Sequence, residues 1–141
     1  MQKIDAGRDG LPKLHIAAEE HERLLNLAEA QLTVFPDAAE RLLAEADRAV
    51  ILPAAELPAG TVRMHSVVEF RDENSGEVRR IQLVWPNEAD ISAGRVSIMT
   101  LIGAALIGLS EGQSISWPKR QGEHRQLTVL RVAQRPAAGR A

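Results

Sequence analysis

The sequence predicts an α+β protein, in which a short antiparallel helical hairpin precedes an antiparallel sheet that covers one buried helix. Three observations lead to this expectation. Apolar residues recur at helical spacing across residues 18–50, and from residue 61 onward they alternate with polar ones as in half-buried strands. One short run, residues 101–109, is apolar on all sides and rich in small residues, which suits a helix buried under a sheet. The order of elements after the hairpin is therefore β-β-β-α-β-β.

The hairpin is predicted over residues 14–52. Residues 1–13 hold scattered charges, glycines and a proline without periodicity, so we expect a flexible leader there. Residues 18–30 are nearly all strong helix formers with one apolar stripe, and residues 38–50 repeat that pattern. At the tip between them, proline cannot continue the first helix and aspartate can cap the second. The expected tip consists of Phe35, Pro36 and Asp37.

A change of period marks the expected domain boundary. Two prolines and a glycine in residues 53–60 interrupt the helical pattern, which is typical of a linker. The sheet domain is then predicted over residues 61–133, and a basic tail is predicted over residues 134–141. Strands are expected at residues 61–70, 78–85, 96–98, 114–117 and 124–132, with the buried helix at 101–109.

The composition excludes several classes of protein. Among 141 residues, 45% are hydrophobic and 26% charged, as in ordinary globular domains. The absence of cysteine excludes disulfide frameworks, thiol catalysis and zinc fingers. The longest uncharged apolar stretch, residues 98–109, is too short to span a membrane. Only 3% of residues are aromatic, which argues against aromatic-lined ligand pockets. We expect a soluble, cytoplasmic protein.

Charge is distributed unevenly, although the formal net charge is only −2. Residues 14–60 hold nine acids against three arginines, a net of −6, whereas residues 119–141 hold six basic residues against one acid, a net of +5. Solvated helix faces and a basic tail explain both clusters simply. The alternative is an acidic arm that is steered into a basic cavity on a partner.

The sequence contains no self-contained catalytic motif. Its four histidines lack metal-ligand spacing, and neither a phosphate-binding glycine loop nor a Gly-x-Ser-x-Gly motif occurs. Two carboxylates at a hairpin tip could hold Mg²⁺ for another enzyme, but this tip offers only Asp37, and a single acid there ordinarily caps the helix. We therefore expect no enzymatic activity, no metal and no cofactor.

Three runs of residues carry a family resemblance. They are Leu57-Pro58 with Val62-x-Met64-x-Ser66-x-Val68-x-Phe70; Gly76-Glu77-Val78-Arg79 with Leu83-Val84-Trp85-Pro86; and residues 96–109 continuing to Gly112-Gln113-Ser114-Ile115-x-Trp117. Over about residues 14–132 the chain resembles the regulator of nucleoside diphosphate kinase (Rnk) family and, more distantly, the C-terminal domain of Gre-type transcript cleavage factors.

This resemblance implies an FKBP-like domain behind a coiled-coil hairpin, in a bacterial transcription regulator that binds RNA polymerase at the rim of its secondary channel. In Gre-type factors, a much longer coiled coil carries tip acids that help to bind the Mg²⁺ used for RNA cleavage. Helices of about 13 residues reach only about 20 Å. We therefore expect occupation of the channel entrance without stimulation of cleavage. The expected protein is a monomer that contacts DNA only indirectly and binds no membrane.

The resemblance also indicates contact residues. In the cleavage factors, a Ser-Pro loop before the buried helix contacts polymerase, and it corresponds to Thr100-Leu101 here, with Met99 where an acid is usual. We expect Met99, Thr100, Leu101 and Ile102 to face the partner or shape the loop, the alternative being core packing and the helix start. The expected structural glycines are Gly103, Gly108 and Gly112.

Two other functions remain open. A small-molecule or peptide-binding module would use a groove near Phe70, Trp85 and Trp117, whereas a cleavage factor would act through Asp37. FKBP-like folds also include prolyl isomerases, but their pockets are lined with aromatic residues that this chain mostly lacks. The Rnk name implies an influence on nucleoside diphosphate kinase levels.

Overall fold

The computed structural model describes residues 12–118 and 124–134. In chain order, the elements are β1 (His15–Ala17), α1 (Ala18–Ala30), α2 (Pro36–Arg48), β2 (Val50–Leu52), β3 (Val67–Asp72), β4 (Val78–Val84), β5 (Arg95–Ser97), α3 (Leu101–Leu106), β6 (Ser114–Pro118) and β7 (His124–Ala133). No helix in these two stretches is long and apolar enough to cross a membrane.

Five strands form one sheet in the order β5-β4-β3-β7-β6. Neighbouring strands are antiparallel except β4 and β5, which run parallel, so the prediction of a fully antiparallel sheet is wrong at this edge. The connection between β4 and β5 contains two short 3₁₀ turns, Pro86–Glu88 and Ile91–Ala93, which carry the chain back across the sheet edge. The direction of a three-residue strand depends on such a connection, which alternation alone does not reveal.

The strand expected at residues 61–70 begins only at Val67. Before it, Thr61 makes an isolated bridge to Ser110, and the Ser66 amide donates to the Arg63 carbonyl in a tight turn. Within that turn His65 has a φ of 74°, which is unusual for a residue with a side chain. The alternating burial nevertheless continues through the turn, so the prediction of which side chains are buried is confirmed.

Helices α1 and α2 pack as an antiparallel pair. The His21 ring, early in α1, hydrogen bonds to the Ala46 carbonyl oxygen, late in α2, at 3.2 Å. α2 starts earlier than expected, because Pro36 occupies its first turn, where a missing N–H costs nothing. The expectation that Asp37 caps this helix is wrong: Phe35 is the N-cap residue, and no side chain makes a cap hydrogen bond.

Two short strands lie where the sequence predicted part of the hairpin. β1 and β2 pair in parallel, with His15 opposite Val50 and Ala17 opposite Leu52. β1 is also tied to the loop after α3, since the His15 amide donates to the Gly108 carbonyl at 3.1 Å. The start of the helical region is therefore held on the rest of the molecule.

One continuous core connects the helix pair with the sheet. Leu24 and Leu42 belong to the same buried cluster as Val68 and Leu106, and α2 packs directly against α3. The division into leader, hairpin, linker, sheet domain and tail stays a prediction. Residues 1–11, 119–123 and 135–141, which include most of the expected leader and tail, lie outside the described residues.

α3 is shorter than expected and is held close to β5. A Cβ at Gly103 would lie 2.3 Å from the Ser97 carbonyl oxygen, so only glycine allows this approach without a shift. The helix ends at Leu106, and Gly108 turns the chain away with a φ of 84°. Gly112 also has a positive φ, but it lies in open space.

Candidate functional site

The loop between β5 and α3 is held in one shape by its own side chains. The Thr100 hydroxyl donates to the Ser97 carbonyl at 2.8 Å and accepts from the Gly103 amide at 3.0 Å, so Thr100 caps α3. The Ser97 hydroxyl accepts from the Met99 amide at 2.9 Å. These bonds fix the direction in which the first turn of α3 leaves the sheet.

The structure gives different positions to the four residues of the expected partner contact. Met99 is buried in the core, and Thr100 is half-buried with its hydroxyl used in the cap. Leu101 is 39% exposed, and Ile102 packs partly against the core. Only Leu101 and Ile102 therefore present apolar surface at the start of α3.

A cavity of about 210 Å³ lies between the start of α3 and the sheet. Leu101 and Ile102 form part of its wall, so two of the sequence-predicted residues meet there. The other apolar lining residues are Phe70 and Leu127, and the polar ones are Asp72, Arg79, Arg125 and Gln126. The cavity thus combines an apolar wall with charged groups.

The two arginines that line this cavity differ in whether their side chains are paired. Arg125 donates to Asp72 Oδ2 through Nη2 at 2.7 Å and through Nε at 3.1 Å. These bonds from Arg125 lower the pKa of the Asp72 carboxyl, and bonds from the Asn74 and Ser75 amides lower it further. Within the described residues, the guanidinium of Arg79 makes neither a hydrogen bond nor an ion pair.

Sequence reasoning missed these charged residues. Arg79 could have been found, because it is in phase with Ile81 and Leu83, which are buried on the inner face of β4. The Asp72–Arg125 pair joins residues 53 positions apart, and no local pattern relates them. Such a pair becomes visible only when strand register is known.

The tip of the helix pair is apolar and carries one acid. Val34 is 62% exposed and Phe35 48% exposed, with Asp37 exposed beside them. No tip residue lines the cavity under α3. Among the described residues, no group of three histidines or acids is placed to hold a metal ion.

The aromatic groove of the alternative prediction is only partly assembled. Phe70 is buried and lines the cavity, whereas Trp85 does not line it. Trp85 packs instead under the guanidinium of Arg23, 3.8 Å from the ring centroid, which attaches α1 to the end of β4. The Trp117 side chain lies outside the described part of the chain.

Comparison with known proteins agrees with this architecture. A family model described as "Transcription elongation factor, GreA/GreB, C-term" matches residues 57–134, which include the whole cavity. The Regulator of nucleoside diphosphate kinase of Escherichia coli K12 is 41% identical over 100 residues, covering 71% of this chain and 74% of that protein. The chain belongs to the Rnk family. The resemblance predicted from the sequence is thereby confirmed.

The relation of this Rnk-family chain to Gre factors extends to structure. A prokaryotic transcription elongation factor GreA/GreB from Nitrosomonas europaea superimposes with a TM-score of 0.66 at 37% identity, covering 86% of this chain and 98% of that one. The GreA of Rhodospirillum rubrum is 43% identical over 68 residues, which is 48% of this chain and 43% of that protein. The match of the GreA/GreB C-terminal model to residues 57–134 indicates that the sheet region is shared in sequence.

Proposed function

We propose that this protein is a non-enzymatic transcription regulator that binds RNA polymerase. Its relatives bear the names of a regulator and of transcription elongation factors, and elongation is the work of RNA polymerase. The observation that carries the proposal is the exposed apolar start of α3, which lies within the region matched by the GreA/GreB family. The name of the Escherichia coli relative adds an expected effect on nucleoside diphosphate kinase levels.

In this proposal the sheet region, an FKBP-like docking domain, contacts the rim of the secondary channel. Leu101 and Ile102 supply apolar contact area, while Met99 and Thr100 hold the loop that positions them. The central part of a protein interface is more apolar than its rim, and this apolar surface fits such a position. The helix pair is then directed toward the channel. In this proposal the protein acts as a monomer in the cytoplasm.

A binding measurement tests this proposal. We expect the purified protein to bind core RNA polymerase at moderate salt, and Leu101→Glu to weaken binding at least about tenfold, because a charge would enter a desolvated apolar contact. Ile91→Glu is the matched control, since Ile91 is 75% exposed on another loop.

Two outcomes would contradict the proposal. The first is the absence of polymerase binding by the native protein. The second is an equal loss in the two glutamate variants, which would show that Leu101 has no special place in the contact.

A further inference from the structure

Strand register places Arg79 and Arg80 on opposite faces of the sheet. Arg79 stands directly opposite Phe70 on β3, and both line the cavity under α3. Arg80 stands opposite Glu69 and lines a different cavity, with Glu69 and Arg131. The two neighbouring arginines thus line different cavities, one on each face of the sheet.

The cavity under α3 has a positive charge that the described residues do not compensate. Asp72 neutralises Arg125, to which it is bound through Oδ2, while its Oδ1 accepts from the Asn74 amide at 2.9 Å. The Arg79 side chain is left without a hydrogen bond or ion pair among the residues that the structure describes. An occupant that brings one carboxylate to Arg79 would therefore balance the site.

The size and lining of the cavity favour side chains over a free small molecule. Its volume of about 210 Å³ lies below the roughly 300–1,000 Å³ of typical small-molecule sites. Phe70, Ile102 and Leu127 make the wall apolar, and Leu101 extends this apolar surface outward. One or two apolar side chains from a macromolecule match this shape and chemistry.

We propose that the cavity under α3 receives an apolar side chain of RNA polymerase that is flanked by an aspartate or glutamate, and that Arg79 pairs with this acid. This inference rests on the proposed function and specifies the chemistry of the partner segment. The apolar side chain contributes buried area, and the Arg79 pair fixes the orientation of the segment.

The test compares removal of the Arg79 charge with removal of the neighbouring Arg80 charge, both in the full chain. We expect Arg79→Gln to weaken binding to core RNA polymerase about tenfold and Arg79→Glu to weaken it more, while Arg80→Gln changes it less than about twofold. The affinity of Arg79→Gln should also depend less steeply on salt than that of the native protein, because one charge pair is lost. Thermal unfolding verifies that all variants fold alike, since both arginines are exposed.

The outcomes separate this inference from the proposed function. If the native protein binds polymerase and Arg79→Gln binds equally well, the proposed function stands and the Arg79 contact is overturned. If Arg79→Gln changes the oligomeric state but leaves polymerase binding intact, a second copy of the chain occupies the cavity, and the inference is likewise overturned. If the native protein does not bind polymerase, the proposed function itself fails.

Discussion

At the residue scale, Asp72 connects the turn after β3 with the first residues of β7. Its two carboxylate oxygens serve different partners: Oδ2 receives Arg125, and Oδ1 receives the Asn74 and Ser75 amides. All of these bonds require, or are strengthened by, the ionised carboxyl. The same residue therefore stabilises a turn and neutralises Arg125, one of the two arginines that line the candidate site.

Lowering the pH should remove the contribution of Asp72 to the stability of the fold. Hydrogen bonds from Arg125 lower its pKa in the folded state below the ordinary value, so ionised Asp72 stabilises the fold at neutral pH. That contribution is lost as the pH falls from the ordinary carboxyl pKa through the lowered one. We expect the free energy of unfolding, measured by urea between about pH 5 and 2.5, to fall less steeply in Asp72→Asn than in the native protein.

Removal of the partner of Asp72 supplies the control for this pH dependence. Arg125→Gln deletes the hydrogen bonds that lower the pKa of Asp72, so it should also make the fall less steep. Equal slopes for the native protein and Asp72→Asn would refute the assignment.

At the element scale, α2 carries a buried acid that pairs with two arginines of the same helix, and these arginines contact other segments of the chain. Glu45 is only 3% exposed and pairs with Arg41 at 2.7 Å and with Arg48 at 2.6 Å. Arg48 also donates to the Pro12 carbonyl, and Arg41 reaches the Ser116 carbonyl at 3.5 Å. The cluster thereby joins α2 to the chain before β1 and to β6.

Removing this acid should loosen the position of α2. We expect Glu45→Ala to lower the free energy of unfolding by about 1–3 kcal/mol, because two partly buried arginines would lose the carboxylate with which they both pair. Glu40→Ala, on the exposed face of the same helix, should change it by less than about 0.5 kcal/mol. Urea unfolding followed by circular dichroism measures both, and equal effects would refute the role of Glu45.

The elements also differ in how well the sequence predicted them. α1 was predicted with its observed bounds, because an amphipathic helix repeats its signal over several turns. β1 and β2 were missed, since each has three residues and exists only through pairing with the other. The predicted antiparallel direction of β5 was wrong for a related reason. The direction of this strand is decided by its partner β4 and by the turns between the two strands.

At the scale of the whole molecule, the short helix pair limits how far its tip extends from the sheet. α1 and α2 have 13 residues each, which corresponds to about 20 Å of helix. Their tip presents Val34 and Phe35 with a single nearby acid, Asp37. One carboxylate at the end of so short a helix pair offers Mg²⁺ a single protein ligand.

We therefore expect no stimulation of transcript cleavage. A stalled, backtracked elongation complex incubated with the protein and Mg²⁺ should release no shortened RNA, while the protein competes with a longer Gre-type factor for binding. Shortened RNA that disappears with Asp37→Ala would show that the tip does reach the active site.

The candidate site shows the same division between local and non-local information. Leu101 and Ile102 were singled out through the family resemblance of the loop before α3, and their contact with a partner stays a prediction. Arg79 and the Asp72–Arg125 pair were not singled out, since the cavity that unites them is formed by three strands and a helix from distant parts of the chain.

By itself, the sequence determined the helices, the main strands, the buried faces and the family of this protein, because periodicity and motifs are properties of neighbouring residues. Only the tertiary structure decided the parallel pairings, the capping of α3 by Thr100 and the separation of Met99 from Leu101. It also decided that Arg79 and Arg80 face different cavities. These features depend on which distant segments meet, and burial free energy summed over the whole core selects that arrangement.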